Sequence, residues 1–199
     1  MATRKHVWLV GLLVIFAWIF AAHAQSPDFK ANIYQVGELK PTDSVLKVEV
    51  DGPAPDFTLP AVRGGNITLS QYRGKKNVVI SFVPAAWTPV CSDQWPGYNI
   101  ARSLFEKYNT ILLGITVDNI PTLHAWTNQM GELWFPVLSD FWPHGAVAEK
   151  YGVLRSDGVS ERAIFIIDKK GLIRYIDIHD INTRPKLEVL VKELDKLEK

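Results

Sequence analysis

Two apolar runs of strand length flank the middle of the chain, at 78–83 and 111–117. Both are rich in β-branched residues and almost free of polar positions, which is typical of strands buried on both faces. Between them, apolar side chains recur at helical spacing up to Tyr108, and the helix is expected to begin near Cys91. The order strand, helix, strand predicts a βαβ unit whose two strands are parallel neighbours.

The rest of the pattern predicts a mixed central sheet with helices on both faces. Turn residues at 64–66 and at 168–171 each separate two apolar stretches and predict two hairpins. The further predicted elements are a strand at 45–50, a helix at 121–130, a strand at 135–138, a helix at 146–151 and an amphipathic helix opened by Arg184-Pro185. The predicted fold class is therefore α/β.

The first 24 residues have the pattern of a secretory signal peptide. Arg4 and Lys5 precede an uninterrupted apolar run at 7–22, and Ala22-His23-Ala24 supplies a small-x-small cleavage pattern. The run is slightly shorter than the roughly 20 apolar residues of a transmembrane helix. An uncleaved membrane anchor is the alternative. We expect an exported protein, periplasmic or extracellular, with a flexible tether at 25–44 and one folded domain at 45–199.

Composition excludes one class of function and draws attention to one residue. A net charge of +1 and the lack of long charged runs give no electrostatic basis for binding nucleic acid. The chain holds a single cysteine, Cys91. Exported proteins commonly pair their cysteines, so a single one indicates a reactive thiol or a bond to another chain. A buried structural cysteine is the alternative, because free cysteine is among the most buried residue types.

Cys91 stands where a predicted strand gives way to a predicted helix. Pro84 and Pro89 interrupt regular structure and force a loop between the two elements. A thiol in the first turn of a helix faces unpaired backbone N–H groups and the positive end of the helix dipole. Both favour the thiolate, which is the nucleophilic form of the side chain.

Pro84, Thr88 and Cys91 follow the spacing Pro-x-x-x-Thr-x-x-Cys. This stretch resembles the signature of the peroxiredoxins, the AhpC/TSA family, which are built on a thioredoxin-like fold. Residues 54–59 (APDFTL) and 162–168 (RAIFIID) are also similar to the family pattern. The resemblance covers residues 50–199 and implies a thioredoxin-like domain around the predicted mixed sheet.

The resemblance implies an active site of four residues. Cys91 would attack one oxygen of a peroxide, and Thr88, three residues earlier, would place its hydroxyl near the sulfur and the incoming oxygen. Pro84 would pack over the thiolate and limit water, and Arg162 would stabilise the leaving oxygen. We expect neither a metal nor another cofactor, since the scattered histidines have no metal-ligand spacing.

The resolving cysteine of two-cysteine peroxiredoxins is missing, and Pro96 stands at one of its usual places. The resemblance therefore points to a one-cysteine type, close to the alkyl hydroperoxide reductase E-like group. The sulfenic acid formed on Cys91 would then be reduced by an external thiol, either a small molecule or a thioredoxin-like protein. We also expect a homodimer, with some of the tryptophans at its interface.

Two other functions stay open at this stage. Residues 87–91 (WTPVC) also match the Trp-Cys-x-x-Cys frame of thioredoxins, which suggests a thiol-exchange protein of the cell envelope. Thr88 replaces the first cysteine of that frame, so no partner sulfur exists to close a disulfide. An inactive thioredoxin-fold binding module is the other alternative, and an unreactive Cys91 would indicate it.

We predict cleavage of the precursor after Ala24, because the Ala-x-Ala pattern follows the apolar run directly. The intact mass of the protein from a host that exports it should lack residues 1–24. A membrane-bound product whose mass still includes those residues would identify the segment as an anchor.

Overall fold

The computed structural model describes residues 27–198. Its strands are β1 (Thr58–Pro60), β2 (Asn66–Thr68), β3 (Asn77–Phe82), β4 (Thr110–Thr116), β5 (Val137–Ser139), β6 (Arg162–Ile167) and β7 (Ile173–His179). Its α-helices are α1 (Pro27–Ala31), α2 (Pro89–Ile100), α3 (Arg102–Lys107), α4 (Ile120–Met130), α5 (Ala146–Tyr151) and α6 (Leu187–Asp195). Short 3₁₀ turns occupy Leu69–Tyr72 and Lys196–Glu198.

Five strands form the central sheet in the order β5-β4-β3-β6-β7. β3, β4 and β5 run parallel, whereas β6 is antiparallel to both β3 and β7. The predicted βαβ unit and mixed sheet are therefore confirmed. β1 and β2 form a separate hairpin with Leu59 opposite Ile67, which confirms the first predicted turn.

Helices cover both faces of the sheet because its central strands β3, β4 and β6 are buried at nearly every position. Successive side chains of a strand point to opposite faces, so β3 contributes to two cores. Val79 belongs to one core with Trp126 of α4 and Leu190 of α6, and Ile80 belongs to the other with Tyr151 of α5. This arrangement is the expected thioredoxin-like fold.

The helix expected from Cys91 to Tyr108 is divided in two. α2 ends at Ile100, and Ala101 takes φ −84° and ψ 13°, outside the helical region, before α3 begins. Tyr98, Ala101, Phe105 and Tyr108 are all buried across this break. The apolar spacing therefore persists through the change of direction, which explains why the pattern did not reveal it.

Residues 27–49, here called the N-terminal arm, differ from the prediction. The strand expected at 45–50 does not form, and Val45 is 82% exposed. The segment expected as a flexible tether lies against the domain instead: Phe29 is fully buried in the core that contains α2 and α4. The arm is attached by scattered hydrogen bonds to residues far away in the sequence, such as the bond from Lys47 N–H to the carbonyl oxygen of Tyr151. Bonds of this kind leave no periodic pattern in the sequence.

The predicted signal peptide lies outside the described residues. Within residues 27–198, no helix combines the length and the apolar character needed to cross a bilayer.

We predict that Phe29→Ala lowers the free energy of unfolding by about 3–5 kcal/mol, the usual cost of removing a fully buried phenylalanine side chain. Urea denaturation of the purified protein measures this change. Tyr34→Ala is the matched control, because this aromatic residue of the same arm is 72% exposed. Equal and negligible effects of the two substitutions would show that the burial of Phe29 does not stabilise the folded domain.

Candidate active site

Cys91 lies at the start of α2, which follows the loop after β3. Thr88 precedes the helix in an extended conformation, and Pro89 occupies its first position, where a missing N–H is tolerated. Cys91 is therefore in the first turn, as predicted, and its side chain is fully buried. Trp87 has a φ of 63°, a left-handed conformation that is unusual for a bulky residue and that turns the loop into the helix.

Arg162, the first residue of β6, reaches the sulfur from the neighbouring strand. Its Nη2 atom lies 3.5 Å from Cys91 Sγ, and its Nη1 atom donates to Gln94 Oε1 at 2.6 Å. Nε and Nη2 also donate to the carbonyl oxygen of Ile181 at 3.2 and 3.0 Å. The side chain is only 2% exposed, so these contacts fix its position.

The partners of this buried guanidinium carry no formal negative charge unless the cysteine does. Gln94 contributes an amide oxygen and Ile181 a backbone carbonyl. Tyr98, which accepts a hydrogen bond from Gln94, has its pKa raised by burial and stays neutral. A buried charge is costly unless it is paired, and among these hydrogen-bond partners Cys91 is the group that can carry a compensating negative charge.

Gln94 was not among the predicted site residues, yet it holds Arg162 in place. Its Nε2 atom donates to Ser81 Oγ at 3.2 Å and to Tyr98 Oη at 3.3 Å, which leaves Oε1 for the guanidinium. Gln94 lies three residues after Cys91 and so shares its face of α2. That spacing was the sequence signal, but it did not show which group the amide would contact.

Thr88 and Pro84 lie together at the mouth of the site. Both line a cavity of about 400 Å³ that also reaches Arg162. The Thr88 hydroxyl, which was expected to lie near the sulfur and the incoming oxygen, donates to the carbonyl oxygen of Ala85 at 2.9 Å. Its oxygen lone pairs are thus oriented by a fixed donor bond and can accept a hydrogen bond from a molecule in the cavity.

The loop that follows β3 is fixed by the loop that follows β4. Ala86 N–H donates to the carboxylate of Asp118, which follows β4, at 2.8 Å. The ring nitrogen Nε2 of His144 lies 2.8 Å from the carbonyl oxygen of Gly158. Among residues 27–198, no group of three or more histidine, cysteine, aspartate or glutamate side chains is placed to hold a metal ion.

A sulfur at a helix start, paired with a buried arginine on an adjacent strand of a thioredoxin-like fold, defines a thiol-based redox enzyme. Comparison with known families matches residues 50–176 to the AhpC/TSA family. The chain is 39% identical to alkyl hydroperoxide reductase E of Mycobacterium tuberculosis (strain H37Rv) over 132 residues, 66% of this chain and 86% of that protein. It is also 39% identical to peroxiredoxin-2 of Cricetulus griseus over 139 residues, 65% of this chain and 69% of the relative.

Solved structures give the same result. The reduced 2-Cys peroxiredoxin of Plasmodium vivax superposes with a TM-score of 0.72 at 28% identity, covering 76% of this chain and 83% of that one. The chain belongs to the AhpC/TSA family of peroxiredoxins. It is accordingly a thiol-dependent peroxidase, and the thiol-exchange protein and the inactive binding module are not favoured.

We predict that Arg162→Gln lowers the second-order rate constant for oxidation of Cys91 by hydrogen peroxide by about 10²–10³-fold, the usual effect of removing one preorganised charge-stabilising donor. Stopped-flow tryptophan fluorescence measures the rate, and circular dichroism checks the fold. Arg184→Gln is the matched control, since Arg184 forms an ion pair with Asp93 on the surface. A rate for Arg162→Gln equal to that of the control would remove the arginine from the mechanism.

Proposed function

We propose that this peroxiredoxin reduces hydrogen peroxide and organic hydroperoxides through Cys91 alone, and that an external thiol regenerates it. The observation that carries the proposal is the contact between Cys91 Sγ and Arg162 Nη2 at 3.5 Å, at the first turn of α2. Three features that favour a thiolate meet there: the helix N-terminus, a buried positive charge and the lack of a carboxylate among the hydrogen-bond partners of that charge.

The oxidative half-reaction transfers one oxygen atom to the sulfur. The Cys91 thiolate attacks the terminal oxygen of the hydroperoxide, an S–O bond forms and the O–O bond breaks. The electron pair of the broken bond leaves on the second oxygen, which takes up a proton and departs as water or an alcohol. The two-electron oxidation of the sulfur to sulfenic acid balances the reduction of the peroxide.

Arg162 and Thr88 would stabilise different parts of this step. The guanidinium offers positive charge beside the sulfur, where negative charge moves to the leaving oxygen. The Thr88 hydroxyl oxygen would accept the peroxide O–H and so fix the peroxide in line with the sulfur. Pro84 is buried and lines the same cavity, and in this position it would limit the access of water.

Regeneration would require a thiol from outside the chain, because the sequence contains one cysteine. A thiol condenses with the sulfenic acid to form a mixed disulfide and water. A second thiol then releases Cys91 as a thiolate and leaves as a disulfide. Peroxiredoxins as a family use peroxide substrates and thiol reductants, and for this chain we propose a small thiol or a thioredoxin-like protein.

The location and assembly belong to the proposal as well. The Ala-x-Ala pattern after the apolar run supports export to the periplasm or outside the cell. A homodimer is supported by the adjacent side chains of Phe141 and Trp142, which are 47% and 80% exposed. Aromatic residues are enriched at protein interfaces. Membrane association would follow only if the N-terminal segment is retained.

The test is the fate of Cys91 after one equivalent of hydrogen peroxide. We expect intact-mass spectrometry to show a dimedone adduct, and a mixed disulfide when glutathione replaces dimedone. Excess peroxide should instead give the sulfinic acid. Cys91→Ser is the control and should remain unmodified. A quantitative disulfide-linked dimer without any dimedone adduct would overturn the external-thiol mechanism, and an unmodified Cys91 would overturn the peroxidase.

A further inference from the structure

The N-terminal arm forms one wall of the cavity at the active site. Four consecutive residues of the arm, here called the wall, line this cavity: Val36, Gly37, Glu38 and Leu39. Thr88 and Arg162 line the same cavity. The family match covers residues 50–176, so this wall precedes the matched part of the chain.

A pair of hydrogen bonds clamps the wall to the loop after β7. Leu39 N–H donates to Asn182 Oδ1 at 2.9 Å, and Asn182 Nδ2 donates to the Leu39 carbonyl oxygen at 2.8 Å. The preceding residue in that loop, Ile181, supplies the carbonyl oxygen that accepts from Arg162. The same loop therefore positions the wall and the catalytic arginine. At the other end of the wall, Tyr34 N–H donates to the carbonyl oxygen of Trp87 at 2.8 Å.

A buried ion pair anchors the arm a second time. Glu161 is fully buried and accepts from Arg155 Nη1 at 2.7 Å and from the backbone N–H of Asp43 at 2.6 Å. Arg155 also donates from Nη2 to the carbonyl oxygen of Lys40 at 3.1 Å. If the arm moved away, the buried carboxylate would lose one of its donors, which is costly. The wall is thus a fixed part of the site.

The lining of the cavity suits a carbon chain. Its walls include the apolar side chains of Val36, Leu39, Pro89, Val90, Val159 and Ile181. The volume of about 400 Å³ is far larger than hydrogen peroxide needs, since one water molecule takes up about 30 Å³. Glu38 and Asp157 also line the cavity, and their carboxylates disfavour a ligand with a negative charge of its own.

We propose that Val36 and Leu39 are specificity-determining residues, and that the arm selects uncharged organic hydroperoxides by packing against their carbon chain. This inference rests on the proposed peroxidase function. It identifies the residues that set the preference for organic hydroperoxides over hydrogen peroxide. Each methylene buried against the wall favours the alkyl substrate by at most about fourfold, the equivalent of its transfer from water to an apolar site.

The experiment measures second-order rate constants for the oxidation of Cys91 by hydrogen peroxide and by ethyl, butyl and hexyl hydroperoxide. For the unmodified protein, we expect the ratio of the alkyl constant to the hydrogen peroxide constant to rise with chain length. Leu39→Ala and Val36→Ala should each lower the ratio for hexyl hydroperoxide by about three- to tenfold. Leu46→Ala and Val45→Ala are matched controls, because these exposed residues of the same arm do not line the cavity.

Two results would overturn the inference. One is a ratio that does not change in Leu39→Ala and Val36→Ala. The other is an equal fall with every peroxide, which would mean that the arm only supports the site.

Binding of 1-hexanol, the product alcohol, to Cys91→Ser gives a readout that needs no catalysis. Tryptophan fluorescence should report an affinity that Leu39→Ala weakens and Leu46→Ala does not. If the protein reacts with none of the peroxides, the proposed function fails, while the hexanol affinities still decide whether the arm binds the chain. Equal affinities in all variants would show that the arm does not bind the carbon chain, and this result would overturn the inference.

Discussion

Arg162 carries a positive charge into the protein interior, where only 2% of the residue is exposed to solvent. Its hydrogen bonds go to an amide oxygen, a carbonyl oxygen and the sulfur of Cys91. Burying an ion costs several kcal/mol, even after the protein relaxes, unless an opposite charge compensates it. Among these three partners, the sulfur of Cys91 is the group that can take up negative charge during the reaction. Gln94 and the loop at Ile181 hold Arg162, and the start of α2 holds Cys91, so that these two groups stay in contact.

The parts of the fold that could be predicted from the sequence are those in which local pattern and burial coincide. The runs at 78–83 and 111–117 are apolar at nearly every position, so their lengths identified β3 and β4. The alternation of faces then required helices on both sides of the sheet. The division between α2 and α3 could not be predicted in the same way. Ala101 leaves the helical conformation while the apolar spacing around it continues, and spacing was the only signal available.

The candidate site shows the same division between local and long-range information. The order of Pro84, Thr88 and Cys91 is local, and its resemblance to a family signature placed all three at the site. The bond from Thr88 to Ala85 and the bond from Gln94 to Arg162 depend on side-chain rotamers that no spacing specifies. The N-terminal arm was missed for a related reason. It joins the domain through isolated contacts with residues more than 100 positions away, such as those made by Leu39 and Asp43.

A peroxidase with one buried cysteine must keep water away from a thiolate and still admit a peroxide. A closed pocket would satisfy the first requirement, and an open one the second. Here Cys91 is fully buried, and Arg162 both contacts its sulfur and lines the cavity that the arm walls on one side. The wall is fixed to the loop that also orients the arginine, through Asn182 and Ile181. Access for the substrate and stabilisation of the charge therefore meet at one loop, which holds the backbone of the arm and the arginine. A change in the side chains of the arm that line the cavity would alter which peroxide reaches the sulfur, while the residues that react with it stay the same.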